Sequence, residues 1–282
     1  MNSDSENRIA SAHLSTERDS TEVAGTELAA TRGHRAPYFW LPNALTTGAL
    51  WAGFYAIVAG IDHNFSRAAV GVFVAMIFDG LDGRVARWTN TQSEFGKEYD
   101  SLSDMVSFGL APAILAYQFG VVRLAEYNII WGRLGWIATF LYAACAAMRL
   151  ARFNSRAATA DKKFFEGLPS PSAAATVAGF IWLAAEYKMP PLLSLVLGFV
   201  ITTIIALLMV SSFAYWSGKD LNVRGRVRWS YLWVIPIGYI VISAGPGEAL
   251  FAMFAIYAFH APLLWIWRKA FNRRSHESHA KS

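Results

Sequence analysis

Long apolar runs separated by short polar links leave this chain few ways to fold. A stretch of about 18 or more apolar residues is long enough to cross a hydrocarbon core roughly 30 Å thick. Eight apolar segments are expected near 44–61, 65–87, 97–119, 129–150, 171–187, 191–213, 229–244 and 247–267. Charged residues make up only 16% of the chain, against roughly 25% in soluble domains. The fold class that follows is an all-α, polytopic membrane helical bundle of about eight transmembrane helices. Residues 37–268 form one transmembrane domain, flanked by tails at 1–36 and 269–282.

The tails and links carry the charge. Residues 1–36 are rich in Ser, Thr, Glu and Arg and have no apolar period, so they are expected to be disordered. They lack the short basic head and adjoining apolar stretch of a secretory leader. Order is expected from Pro37-Tyr38-Phe39-Trp40, aromatic residues of the kind that favour the headgroup level. Lysine and arginine concentrate in alternate connections. Arg84, Arg87 and Lys97 flank the second, Arg149, Arg152, Arg156, Lys162 and Lys163 the fourth, and Lys219, Arg224, Arg226 and Arg228 the sixth. The tail adds Arg268, Lys269, Arg273 and Arg274. Cations mark the cytoplasmic side of a membrane protein, so both termini are expected there. The same bias accounts for the net charge of +5 without any nucleic acid. Cys145 lies alone in an apolar run and is expected to be a small packing residue.

Against this background four aspartates stand out. Placing Asp at the centre of a spanning helix costs about 2.5–3.5 kcal/mol on insertion scales. Yet Asp79 and Asp82 sit near the end of the second segment, and Asp100 and Asp104 near the start of the third. Residues three, four and seven apart share a helix face. Asp79, Asp82, Gly83 and Ala86 form one stripe; Gly96, Asp100, Ser103, Asp104 and Ser107 form another. A short link makes the two helices antiparallel neighbours, so both stripes can face one cleft. Only glycine, alanine and serine separate the acids, which leaves room for something else. Four like charges in one cleft repel unless neutralised. An all-oxygen donor set without His or Cys points to hard divalent cations such as Mg²⁺, Mn²⁺ or Ca²⁺. Two other readings stand beside this one: interfacial ion pairs with Arg84, Arg87 and Lys97, and an ion pathway of a metal-ion transporter.

The pattern Asp79-x2-Asp82-Gly83-x2-Ala86-Arg87-x8-Gly96-x3-Asp100-x3-Asp104 resembles the signature of the CDP-alcohol phosphatidyltransferase family. Three further stretches are similar to its bacterial serine-using branch. They are Phe95 to Pro112, including Phe108-Gly109-x-Ala111-Pro112; Arg149-Leu150-Ala151-Arg152-Phe153-Asn154; and Gly167-Leu168-Pro169-Ser170-Pro171. The resemblance spans roughly 42–220. It implies a helical, dimeric enzyme of the bacterial inner membrane that moves a phosphatidyl group from CDP-diacylglycerol to L-serine, or to another alcohol used by related members. It also implies two divalent ions, Mg²⁺ or Mn²⁺, near the cytoplasmic face. By resemblance Asp79, Asp82, Asp100 and Asp104 bind metal, and Asp104 acts as general base. Gly83 lets the nucleotide approach the backbone and Arg87 holds the diphosphate. Asn43, Thr46 and Ser93 are further nucleotide contacts.

Further expectations concern the fourth and sixth connections. Arg149 and Arg152 either hold a lipid phosphate or the serine carboxylate, or simply snorkel to the interface. Ser170-Pro171 is expected to cap the next helix, with proline at its first position. Lys219 and Arg224–Arg228 are expected to meet anionic lipid headgroups. His63 and His260 have no assigned role.

Overall fold

The computed structural model describes residues 40–121, 128–156, 164–216 and 245–279. The expected tail at 1–36, the aromatic entry at 37–39, the segment at 229–244 and the basic link at 219–228 lie outside the described residues.

The described chain is almost wholly helical. Helix α1 (Trp40–Ile61) turns tightly into α2 (Phe65–Trp88), capped by Asn64, whose side chain accepts from the Arg67 N–H. Helix α3 (Glu94–Asp104) runs on through a π-helical turn (Met105–Leu110), a short α4 (Ala111–Ala116) and a second π-helical stretch (Tyr117–Val121). Then follow α5 (Ile129–Arg156), α6 (Ser170–Glu186), α7 (Pro191–Val210) and α8 (Pro246–His279). Among the described residues four helices are long and apolar enough to cross a membrane: Trp40–Ile61, Ile129–Ser155, Pro191–Val210 and Pro246–Trp267. Helix α2 falls short because Arg67, Asp79, Asp82, Arg84 and Arg87 dilute its apolar content. The chain is therefore an all-α, multi-pass membrane protein.

Small residues set how closely the helices approach. In lipid, helices associate through van der Waals contact and hydrogen bonds, because lipid tails are as apolar as the side chains. The buried face of α1 is Pro42, Thr46, Ala49, Ala52, Gly53, Ala56, Ala59 and Gly60. A Cβ on Gly71 of α2 would lie 3.0 Å from the Ala56 Cβ. A Cβ on Gly53 would lie 2.7 Å from the Ser107 Cα. Helix α6 is the central post, buried through Ala173, Ala174, Ala175, Val177, Ala178 and Ile181. Cys145 is buried in the same apolar core, as expected of a packing residue. Large apolar side chains such as Trp51, Phe54, Trp136, Phe140 and Leu207 point outward, where lipid takes the place of water.

Two features differ from the sequence expectation. A short antiparallel ribbon joins β1 (Phe164–Glu166) to β2 (Ala214–Trp216). Beside it Gly167 adopts φ +79, and a Cβ there would collide with the Met209 carbonyl. Glycine is the residue that tolerates both conditions. The second difference is at Ser170. It is the first residue of α6, Pro169 occupies the cap position, and no side chain caps the helix. The Ser170 hydroxyl instead accepts a hydrogen bond from Arg149, a stronger charge-assisted partner than a helix N–H.

Candidate active site

The acids of α2 and α3 do converge. Ligand-capable oxygens of Asp79, Asp82 and Asp100 lie within 4.8 Å of one another. The Asp104 carboxyl meets that of Asp79, and the Asp100 carboxyl meets that of Asp82. Asp82 is 5% exposed. Its Oδ2 accepts a 2.6 Å hydrogen bond from the Thr46 hydroxyl, which also lies 3.1 Å from the Pro42 carbonyl. Ser103 and Ser107, on the same sequence stripe as the acids, turn away from the cleft. They donate to the Thr46 and Ala49 carbonyls of α1, at 3.2 and 3.1 Å, and fasten the acidic helix to α1.

This donor set fits a hard divalent cation. Carboxylates in direct contact repel, and burial strengthens that repulsion. Among the described residues no ion pair joins these acids to Arg84, Arg87 or Lys97; Arg87 acts on Asp82 only through space. The Asp100 Oδ1 is buried without a hydrogen-bond partner, and such atoms are rare unless a ligand or ion meets them. A shared cation answers both the repulsion and the orphaned oxygen.

Beside the acids opens a cleft of about 450 Å³. Asn43 and Thr46 of α1, Gly83 and Arg87 of α2 and Ser93 before α3 all line it, together with Asp82 and Asp100. Around the Gly83 Cα there is open space, the nearest atom to an added Cβ being Arg87 Nη1 at 3.5 Å. Ser93 has a second task, since its hydroxyl caps α3 by accepting from the Gly96 N–H at 3.0 Å. Thr91, Gln92 and Glu94 complete the wall. Thr91 and Gln92 sit on the α2–α3 link, where no helical period sorts side chains, and Glu94 only opens α3, so the sequence pattern did not single them out. A separate cavity of about 480 Å³ lies at the opposite end of the bundle, lined by Asp62, His63 and Lys188, with a single carboxylate.

Arg149 and Arg152 lie apart from that cleft and differ in surroundings. Arg149 is 8% exposed; its Nη1 donates to the Ser170 hydroxyl at 3.0 Å and its Nε is buried without a partner. Its charge reaches Asp104. Arg152 is occupied by backbone, donating to the Glu166 carbonyl at 2.6 Å and to the Val210 carbonyl at 3.4 Å. It thus ties the ribbon to the end of α7. Asn154 donates to the Ser101 hydroxyl at 2.8 Å, linking α5 to the acidic helix.

A carboxylate cluster on two antiparallel helices, beside a polar cleft in an apolar bundle, defines a membrane protein built to handle a charged ligand. Residues 39–214 match the CDP-alcohol phosphatidyltransferase family, and the chain belongs to it. The chain is 34% identical to a CDP-diacylglycerol–serine O-phosphatidyltransferase of Helicobacter pylori strain J99, over 82% of this chain and 93% of that protein. It is 39% identical to the protein of the same name from Methanocaldococcus jannaschii, over 51% of this chain and 61% of that one. A yeast counterpart from Saccharomyces cerevisiae is 37% identical over 53% and 54%.

Proposed function

We propose that this chain transfers the phosphatidyl group of CDP-diacylglycerol to L-serine and releases CMP. The observation that carries the reading is the cluster of Asp79, Asp82 and Asp100, with Asp104 against Asp79, beside the cleft, and the names of the similar proteins support the substrates. Asp79, Asp82, Asp100 and Asp104 would hold divalent ions, Mg²⁺ or Mn²⁺, with two per site. Such ions, when bound, neutralise charge on a pyrophosphate and stabilise its departure.

The chain's own residues divide the remaining work. Arg87 faces the diphosphate, and Asn43, Thr46, Gly83 and Ser93 line the space for the nucleotide. Arg149, whose Nε is buried and unpaired, takes the serine carboxylate, and Ser170 orients its guanidinium. Asp104 removes the proton from the serine hydroxyl as that oxygen bonds to the lipid-linked phosphorus; general-base assistance of this kind is worth about 10²–10⁴-fold. The bond from that phosphorus to the bridging oxygen breaks, and CMP leaves with the oxygen. Attack is direct, since a base and an activated leaving group suffice. Arg152 supports this arrangement from the ribbon.

Residues 37–268 form the catalytic domain, crossing the bacterial inner membrane eight times with both termini cytoplasmic, and the chain works as a homodimer. The charge bias of the connections supports the orientation. The test is purified protein with CDP-diacylglycerol, Mn²⁺ or Mg²⁺, and a panel of labelled alcohols. CMP release that needs serine and stops on chelation supports the proposal. Release with a different alcohol would replace the acceptor, and ion flux into vesicles without CMP release would replace the reaction.

A further inference from the structure

The helix that carries Asp100 and Asp104 does not keep one period. Immediately after Asp104 it widens, and the Ala111 N–H bonds to the Val106 carbonyl five residues back. A cause is visible in the sequence. Pro112 has no N–H to offer the Phe108 carbonyl four residues earlier, and its ring crowds that carbonyl in a straight α-helix. A wider π-turn relieves the crowding. Tyr142 of α5 is fully buried, and its hydroxyl donates to the same Phe108 carbonyl at 3.1 Å. The phenol supplies a donor that the proline withholds.

The wide turn changes what each half of the helix faces. One additional residue in a turn rotates the part before it against the part after it by about 100°. After the turn, Leu115 packs on α1, where a Cβ on Gly60 would lie 3.2 Å from it, and Phe119 meets the Phe65 ring edge-on at 5.0 Å. Before the turn, Ser103 bonds to the Thr46 carbonyl of α1, and Ser107, within it, bonds to the Ala49 carbonyl. Ser103 and Leu115 are twelve residues apart, and in an unbroken α-helix they would point about 120° away from each other. Both nevertheless meet α1, because the intervening π-turn absorbs the difference. With the later half anchored at Gly60 and Phe65, closing the turn would swing Asp100 and Asp104 away from Asp82 and Asp79.

We infer that Tyr142 is a positioning residue. Together with Pro112 it holds the wide turn open, and so sets the angle at which Asp100 and Asp104 meet the acids of α2. The inference rests on the proposed role of those acids, although Tyr142 touches none of the reacting groups.

Two variants test it. Tyr142→Phe should lower both kcat and Mn²⁺ affinity by on the order of tenfold or more, as loss of a supporting partner does at metal sites, and should lower Tm. In the double variant Tyr142→Phe/Pro112→Ala, the backbone N–H restored at position 112 can satisfy the Phe108 carbonyl in an ordinary α-turn. Its Tm should recover towards wild type while kcat and Mn²⁺ affinity stay low, a split that a merely structural role would not give. Wild-type kcat and Mn²⁺ affinity in Tyr142→Phe would overturn the inference. So would a double variant that regains activity together with stability. If Tyr142→Phe does not fold, the double variant decides alone. If the wild-type protein binds no Mn²⁺, the metal reading of the acids falls, and kcat of the variants still decides the phasing.

Discussion

Thr46→Val keeps the shape of the side chain and removes one hydroxyl, the one that donates to the Asp82 Oδ2 at 2.6 Å. Thr46 is 3% exposed and Asp82 5%, so solvent cannot readily replace the lost donor. A hydrogen bond to a charged group contributes about 1.5–3 kcal/mol. At about 1.4 kcal/mol per factor of ten, that corresponds to roughly 10–150-fold. Loss of an outer partner of a metal ligand independently suggests about 10–100-fold in metal affinity. The Thr46 hydroxyl divides itself between Asp82 and the Pro42 carbonyl, which places the expectation at the low end, about tenfold by the same range. The Ser103 bond to the Thr46 backbone carbonyl survives the change, so Tm should stay close to wild type. The assay is Mn²⁺ titration followed by electron paramagnetic resonance, paired with CMP release at rising Mn²⁺. The variant should bind Mn²⁺ about tenfold more weakly and regain most of its turnover at saturating metal. A folded variant with unchanged Mn²⁺ affinity, or a loss that added metal does not restore, refutes the idea that Thr46 aims Asp82 at a cation.

Asp104→Asn should abolish turnover while leaving CDP-diacylglycerol binding measurable by lipid-competition assay; near-normal turnover would remove Asp104 as the base. Arg149→Lys keeps the charge and loses the planar fork. It should raise KM for serine by about tenfold, the scale of one charge-assisted bond, with KM for CDP-diacylglycerol little changed, and equal effects on both would exclude a serine-specific role. Gly167→Ala forces a side chain into a left-handed conformation that costs roughly 1–2 kcal/mol, against the Met209 carbonyl as well. Its Tm should fall, and an unaltered thermal melt would show that the ribbon corner is slack.

Much of the cleft was legible because acids in a membrane helix have few excuses. Asp79, Asp82, Asp100 and Asp104 kept helical spacing through residues too small to hide them; α2 and α3 bring the first three together and set Asp104 against Asp79. The apolar runs located the helices for the same reason: length and composition are local properties. The misplacements are non-local. Ser103 and Ser107 shared the acidic stripe on paper, but hydroxyls seek carbonyls, and those of α1 lie against them. The β1–β2 ribbon pairs three-residue strands about fifty positions apart, too short to show an alternating pattern. Arg152, expected either to hold an anion or to snorkel, instead meets the Glu166 and Val210 carbonyls, which are distant in sequence. The π-turn was hidden in Phe108-Gly109-x-Ala111-Pro112, a stretch noted for its resemblance rather than for the missing amide of its proline.

The fully buried positions of helix α1 hold nothing bulkier than proline and threonine. Such a helix has two very unequal sides on which to vary. Outward positions such as Trp51, Phe54 and Val58 can exchange one greasy group for another and barely disturb the bundle, because fluid acyl chains reshape around them. Inward positions have no such freedom, since a single added methyl at Gly53 lands on the backbone that carries the acids. A saturation library across 40–61 should therefore yield a sawtooth of tolerance repeating every three to four positions, with its deepest troughs where the catalytic helix leans closest.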